Sequence, residues 1–185
     1  MKTVLNTLKR AAGPVLVAGL VVASTATPAA AQTPGSTAYR IFGGFAGVQA
    51  NNGFNNNVTA SPSGPEPGAH LIFSDTAGIA AGPGCTRITG STTSVDCGSL
   101  ATVTRIGIQL GDRDDTYNGS AVSVNSIVDA GTGKDSVVTG GGSDTVSVQD
   151  NAPMDNVNCG VQPTGGADTV YRDPGDTVVG CERVF

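Results

Sequence analysis

The chain has 185 residues, and a leader over the first 31 leaves 185 − 31 = 154, the length of one ordinary domain. Lys2, Lys9 and Arg10 belong to that leader while all 15 acids lie beyond it, so the remainder carries 7 − 15 = −8. That sign excludes nucleic acid and anionic membrane surfaces as partners, because both are bound by basic patches, and makes a cation the natural counterpart. With no Trp, five Phe, three Tyr and 27 Gly, the composition also excludes a helical bundle and favours short strands between tight turns.

In chain order, Lys2, Lys9 and Arg10 precede an apolar stretch from Ala11 to Ser24, and small residues lead to Ala29-Ala30-Ala31. This is the pattern of a secretory signal cut after Ala31, with an apolar run too short for a bilayer span. No Cys adjoins the cut to take a lipid. Secretion into an oxidising compartment accounts for Cys85, Cys97, Cys159 and Cys181, an even set that allows three pairings. Cys85 with Cys97 and Cys159 with Cys181 is the favoured arrangement, since each pair lies in one local segment. Zinc is disfavoured, because no C-x-x-C and no suitably placed His are present.

Residues 32–70 are expected to be loop-rich, on the strength of Asn51-Asn52-Gly53-Phe54-Asn55-Asn56-Asn57 and Ser61-Pro62-Ser63-Gly64-Pro65-Glu66-Pro67-Gly68. Within them, Tyr39 to Val48 has the composition of a strand. Residues 71–109 read as short strands around a disulfide loop, with Leu71-Ile72-Phe73, Ile79 and the alternation Thr104, Ile106, Ile108, Leu110.

Residues 110–185 contain an internal repeat of Asp followed two residues later by an apolar side chain. The units are Asp115-Thr116-Tyr117, Asp135-Ser136-Val137, Asp144-Thr145-Val146, Asp155-Asn156-Val157, Asp168-Thr169-Val170 and Asp176-Thr177-Val178. Glycines precede several of them, and each unit reads as one turn and one strand with the residue two after the Asp facing inward. Eleven of the 13 Asp lie between Asp112 and Asp176, so carboxylates stacked along a solenoid repel one another unless a positive charge sits among them.

Two adjacent units, Ala130-Gly131-Thr132-Gly133-Lys134-Asp135-Ser136-Val137-Val138 and Thr139-Gly140-Gly141-Gly142-Ser143-Asp144-Thr145-Val146-Ser147, are in register at nine residues. They resemble the haemolysin-type (RTX) nonapeptide G-G-x-G-x-D-x-U-x of secreted calcium-binding proteins, and the stretch from 71 to 185 looks like actinobacterial members of that group. The resemblance implies an all-β fold with a short parallel β-roll of two nonapeptides per turn, 18 residues, and calcium between stacked turns. It implies about one to three Ca²⁺ ions, held by Asp115, Asp135, Asp144 and Asp168 with turn carbonyls of Gly111, Gly131, Gly133, Gly140, Gly142 and Gly165. Independently, Ca²⁺ takes six to eight oxygens at about 2.3 to 2.6 Å, which carboxylates and turn carbonyls supply. Asp115 and Asp135, 20 apart, share an edge on this reading, and Asp144 pairs with Asp168 or Asp155 on the other.

Against this stands the simpler possibility that Asp before Thr or Ser only forms turns, bonding nearby backbone N–H groups. An EF-hand at Asp112 is excluded by Tyr117 at its sixth position and Ser123 at its twelfth. Catalysis is not expected, since His70 is the only His and no nucleophile motif accompanies it. The sequence therefore predicts a secreted, non-catalytic calcium-binding β-roll whose folding is coupled to the metal, with a metal-independent, disulfide-pinned solenoid of structural or adhesive role as the alternative. It identifies no protein or cell-surface partner.

Overall fold

The computed structural model describes residues 33–160 and 166–185 and is almost entirely strand. The leader and its cleavage site lie outside the described residues. The strands are β1 (Ser36–Ile41), β2 (Phe45–Ala50), β3 (Asn57–Pro62), β4 (His70–Asp75), β5 (Ile79–Ala81), β6 (Thr86–Arg87), β7 (Ser94–Ser99), β8 (Arg105–Gln109), β9 (Thr116–Asn118), β10 (Ser126–Asp129), β11 (Ser136–Val138), β12 (Thr145–Ser147), β13 (Asn156–Asn158), β14 (Thr169–Tyr171), β15 (Thr177–Val179) and β16 (Arg183–Val184). They form two eight-stranded sheets, ordered β16-β14-β12-β10-β8-β2-β1-β5 and β15-β13-β11-β9-β3-β4-β7-β6.

From β8 onward the chain alternates between the sheets, laying each strand parallel to the one a coil earlier. In the second sheet the steps are even: Thr116, Ser136, Asn156 and Thr177 stack at intervals of 20, 20 and 21. In the first they vary, since Ile106 pairs with Ser126, Ile127 with Thr145, Thr145 with Thr169 and Thr169 with Arg183, giving 20, 18, 24 and 14. The 18-residue turn implied by the nonapeptide thus occurs once, across the two units that match it. Elsewhere the turns absorb insertions while the three-residue strands keep their register.

The coil also begins earlier than residue 110. β2 is parallel to β8 and β3 to β9, so β2 and β3 form a first coil, separated from the rest by an excursion through β4 to β7. β1, β4, β6 and β7 pair antiparallel around that coil and close its end. The loop-rich reading of 32–70 therefore fits the segments 51–56 and 63–69, while three strands occupy much of the remainder. Tyr39 to Val48 is a hairpin rather than one strand, because Gly43 and Gly44 both take positive φ (84° and 79°) and reverse the chain there.

A single apolar column fills the space between the sheets: Val48, Val58, Ile106, Ile108, Leu110, Tyr117, Val128, Val137, Val146, Val148, Val157 and Val170 are all essentially buried. The residue two after each repeat Asp faces inward as expected, with Val178 in the last coil only half-buried. The disulfides join Cys85 to Cys97 and Cys159 to Cys181. The second, with a sequence separation of 22, ties β13 to the turn before β16, and a loop of that size contributes about 3 kcal/mol in the chain-entropy picture. Replacing Cys159 and Cys181 together by Ser is expected to lower stability by about that amount in urea unfolding, without loss of strand signal at 25 °C.

Candidate functional site: two ladders of stacked carboxylates

The turns that lead from the first sheet to the second (110–115, 130–135, 148–155 and 172–176) stack along one edge, and the described residues of those leading back (119–125, 139–144, 159–160 with 166–168, and 180–182) along the other. The first edge carries Asp112, Asp114, Asp115, Asp135, Asp150, Asp155, Asp173 and Asp176; the second carries Asp144, Asp168 and Glu182. Asp115 and Asp135 do share an edge, and the partner of Asp144 is Asp168 and not Asp155. The structure thus gathers Asp115 and Asp135 into one column and Asp144 and Asp168 into another; Gly165 lies outside the described residues.

The repeat Asp side chains turn inward, and Asp115, Asp135, Asp144, Asp155 and Asp168 are buried. Each uses one oxygen on the backbone of the preceding coil. Along the first edge, Asn56 N–H donates to Asp115 Oδ1 at 2.7 Å, Asp115 N–H to Asp135 Oδ1 at 2.9 Å, Asp135 N–H to Asp155 Oδ1 at 2.7 Å and Asp155 N–H to Asp176 Oδ1 at 3.1 Å. Along the second, Ser126 N–H donates to Asp144 Oδ1 at 2.6 Å, Asp144 N–H to Asp168 Oδ1 at 2.7 Å and Asp168 N–H to Glu182 Oε2 at 2.7 Å. These are charge-assisted bonds between coils, where turn-forming Asp would instead bond N–H groups of its own turn.

Asn56 occupies the first rung, and its amide nitrogen donates to Gly35 O and to Asp75 Oδ2. Asp75 is buried and also receives Ser36 Oγ, Asn57 N–H and Ala77 N–H, which seals the ladder at the closed end of the coil. Neither residue stands out in the sequence, since Asn56 lies in an Asn/Gly cluster and Asp75 far from the repeat. Asp150 and Asp173, also missed, form an outer row: Asp150 Oδ2 accepts Gly133 N–H, and Asp173 Oδ2 accepts Asp150 N–H and Asn151 N–H.

The second oxygens are the anomaly. Oδ2 of Asp115, Asp135, Asp144 and Asp155 is buried and has no hydrogen-bond partner. Burial pushes Asp115 and Asp135 up to about 7 and Asp144 to about 6, and raises Asp155 as well; the N–H bonds oppose this shift and the stacked carboxylates add to it. A buried carboxylate oxygen without a partner calls for a proton or a cation.

The donors at the first edge suit Ca²⁺ in kind, since all are carboxylate or carbonyl oxygens, the hard ligands it takes. Among the described residues no three His, Cys, Asp or Glu side chains converge on one point, so an ion there relies on backbone carbonyls and water besides one or two carboxylates. Some of the glycine carbonyls are already used: Gly111 O accepts Thr132 N–H at 2.9 Å. His70, exposed at 47%, places its Nδ1 2.8 Å from Asp96 Oδ2 on the closing strands. Among the described residues, no helix is long and apolar enough to cross a membrane. Comparison with protein-family models, with curated proteins and with solved structures gave no match, so the functional reading rests on the residues themselves.

Proposed function

We propose that this is a secreted, non-catalytic scaffold whose coil takes up Ca²⁺ along its first edge, with metal binding coupled to folding. The observation that carries the reading is the column of buried, unpartnered Oδ2 atoms on Asp115, Asp135 and Asp155, backed by five more carboxylates on the same turns. Bound calcium would neutralise that column, each ion taking one or two of the carboxylates of Asp115, Asp135 and Asp155 together with turn carbonyls and water. Whatever binds the folded coil and not the unfolded chain adds its binding energy to stability. The two disulfides fit an oxidising, extracellular setting.

A second reading has its own support. Every rung already joins two coils through Oδ1, and the last coils are pinned by Cys159–Cys181, so the same architecture serves as a metal-independent structural or adhesive solenoid.

Calcium titration of the oxidised, chelated protein separates the two, followed by circular dichroism and calorimetry with Mg²⁺ as control and Asp135→Asn beside wild type. Asn keeps the carbonyl oxygen that accepts Asp115 N–H and removes the charge. Under the calcium reading, wild type gains stability with millimolar Ca²⁺ and Asp135→Asn gains at least about 1.4 kcal/mol less, a tenfold weakening of the coupled affinity. Equal stability of wild type with and without Ca²⁺ would leave the metal-independent scaffold.

A further inference from the structure

Strands of the first sheet begin at the second edge, because β2 and β8 run parallel to β10, which follows the turn 119–125. The β1–β2 hairpin therefore points out of that edge, and its tip carries Ile41 and Phe42, 55% and 105% exposed. A methyl on the neighbouring Gly43 would meet nothing within 4 Å, so the tip stands clear of the molecule. Its base is fixed: Gly44 O accepts Thr104 N–H and Gly43 O accepts the Thr104 hydroxyl, each at 2.8 Å. Single exposed apolar side chains are ordinary, but an adjacent pair on an anchored tip is a knob held where it has nothing to touch.

The same edge holds a cleft. β3 ends there, since it runs parallel to β9, and the loop that follows it meets the turns Leu100–Thr102 and 119–125 around a cavity of about 540 Å³. Its lining includes Val103 and Val122, both buried, with Leu100, Pro65 and Ala121 beside them. Glu66 is the one charged side chain in that lining. Such a volume, within the range of about 300 to 1,000 Å³ usual for binding clefts, takes one or two large apolar side chains. Residues 100–104 run between knob and cleft, because Leu100 lines the cleft while Thr104 holds the tip. The two are neighbours on one edge.

We propose that this edge is the interface of a homodimer in which the Phe42 tip of each copy enters the cleft of the other. One two-fold axis running between knob and cleft makes both insertions at once, an isologous arrangement that closes on itself. Charge selects a second copy as the occupant. Arg105, exposed, begins β8 beside Phe45 at the foot of the tip, and Glu66 lines the cleft. Among the described residues the ion pair present is His70 with Asp96, so neither Arg105 nor Glu66 is paired within its own chain. The two-fold that seats Phe42 brings each copy's Arg105 toward the other's Glu66. The first edge is the poorer face for such a contact, because its eight Asp repel a second copy. An anionic membrane is a poorer occupant, since no cluster of basic residues surrounds the tip. Two Phe and two Ile knobs make a small interface, so the dimer dissociates in the range of about 10 to 100 μM.

Sedimentation velocity of the mature, oxidised protein from about 5 to about 500 μM, with Ca²⁺ and with chelator, reads the equilibrium directly. The expected result is a concentration-dependent dimer that Phe42→Ser and Ala121→Gln each weaken by about tenfold or more. Their urea midpoints stay at the wild-type value, because both side chains are exposed. Arg105→Glu and Glu66→Arg each weaken the dimer, and the two together restore it to within about threefold of wild type, as exchange of paired charges requires. A wild type that is monomeric at about 500 μM overturns the proposal, as does a dimer that Phe42→Ser leaves intact. Cosedimentation of a monomeric wild type with phosphatidylcholine vesicles, lost in Phe42→Ser, overturns it in favour of a tip that enters lipid.

Discussion

In chelator the protein is expected to lose stability as the pH rises from about 4 to about 7. The buried rungs set the window: Asp115 and Asp135 are pushed up to about 7 and Asp144 to about 6, chiefly by burial, while an unfolded Asp titrates near 4. Below about 4 both states are protonated and the rungs contribute no pH dependence. Between about 4 and 7 the folded coil holds protons that the unfolded chain has released, so each rise in pH favours unfolding, and above about 7 the penalty is complete. At about 1.4 kcal/mol per tenfold change in proton affinity, the ladder loses several kcal/mol across the window, an upper bound because stacked carboxylates titrate as a group.

Calcium reverses the slope on the proposed reading, since it binds the ionised rungs: the stability it adds is absent near pH 4 and grows toward pH 7. Urea midpoints at five pH values, with chelator and with millimolar Ca²⁺, give both curves. A flat curve in chelator would mean that the rungs ionise at ordinary pH, and would remove the burial penalty that gives calcium its leverage.

The inward direction of the Asp side chains underlies both curves, and it is the part of the site that the sequence shows least. The Asp-x-Val period gives the strands, the inward valines and the pairing of Asp115 with Asp135, because alternation along a strand and a repeat of about 20 residues are local properties; it leaves Asp144 between Asp168 and Asp155, a choice that the 24-residue step between β12 and β14 makes. It does not show that a carboxylate reaches back to the N–H of the rung one coil earlier, since an Asp before Thr reads equally well as a turn former. The first coil is hidden for a different reason. Asn57 pairs with Thr116, 59 residues later, and the excursion between them erases the period. Asp135→Asn keeps a side-chain carbonyl to accept the Asp115 N–H and removes only the charge, which is why it separates hydrogen bonding from metal binding.

The glycines of the motif invite the same separation, and Gly131→Ala is expected to cost about 4 kcal/mol or more. Gly131 has φ +88°, where any side chain is strained, and a methyl there would overlap the Gly111 carbonyl one coil away. That carbonyl also accepts Thr132 N–H, so neither group can retreat without breaking the stack of the first edge. Gly64 provides the control: its φ is unremarkable and a methyl meets nothing within 4 Å, so Gly64→Ala is expected to be neutral or slightly stabilising. The decisive measurement is urea unfolding of both variants in chelator. A loss in Gly131→Ala under those conditions assigns the glycine to the approach of successive turns, independent of any ion. A Gly131→Ala variant as stable as wild type in chelator, and defective only with Ca²⁺, would return the glycines to the metal and reverse that assignment.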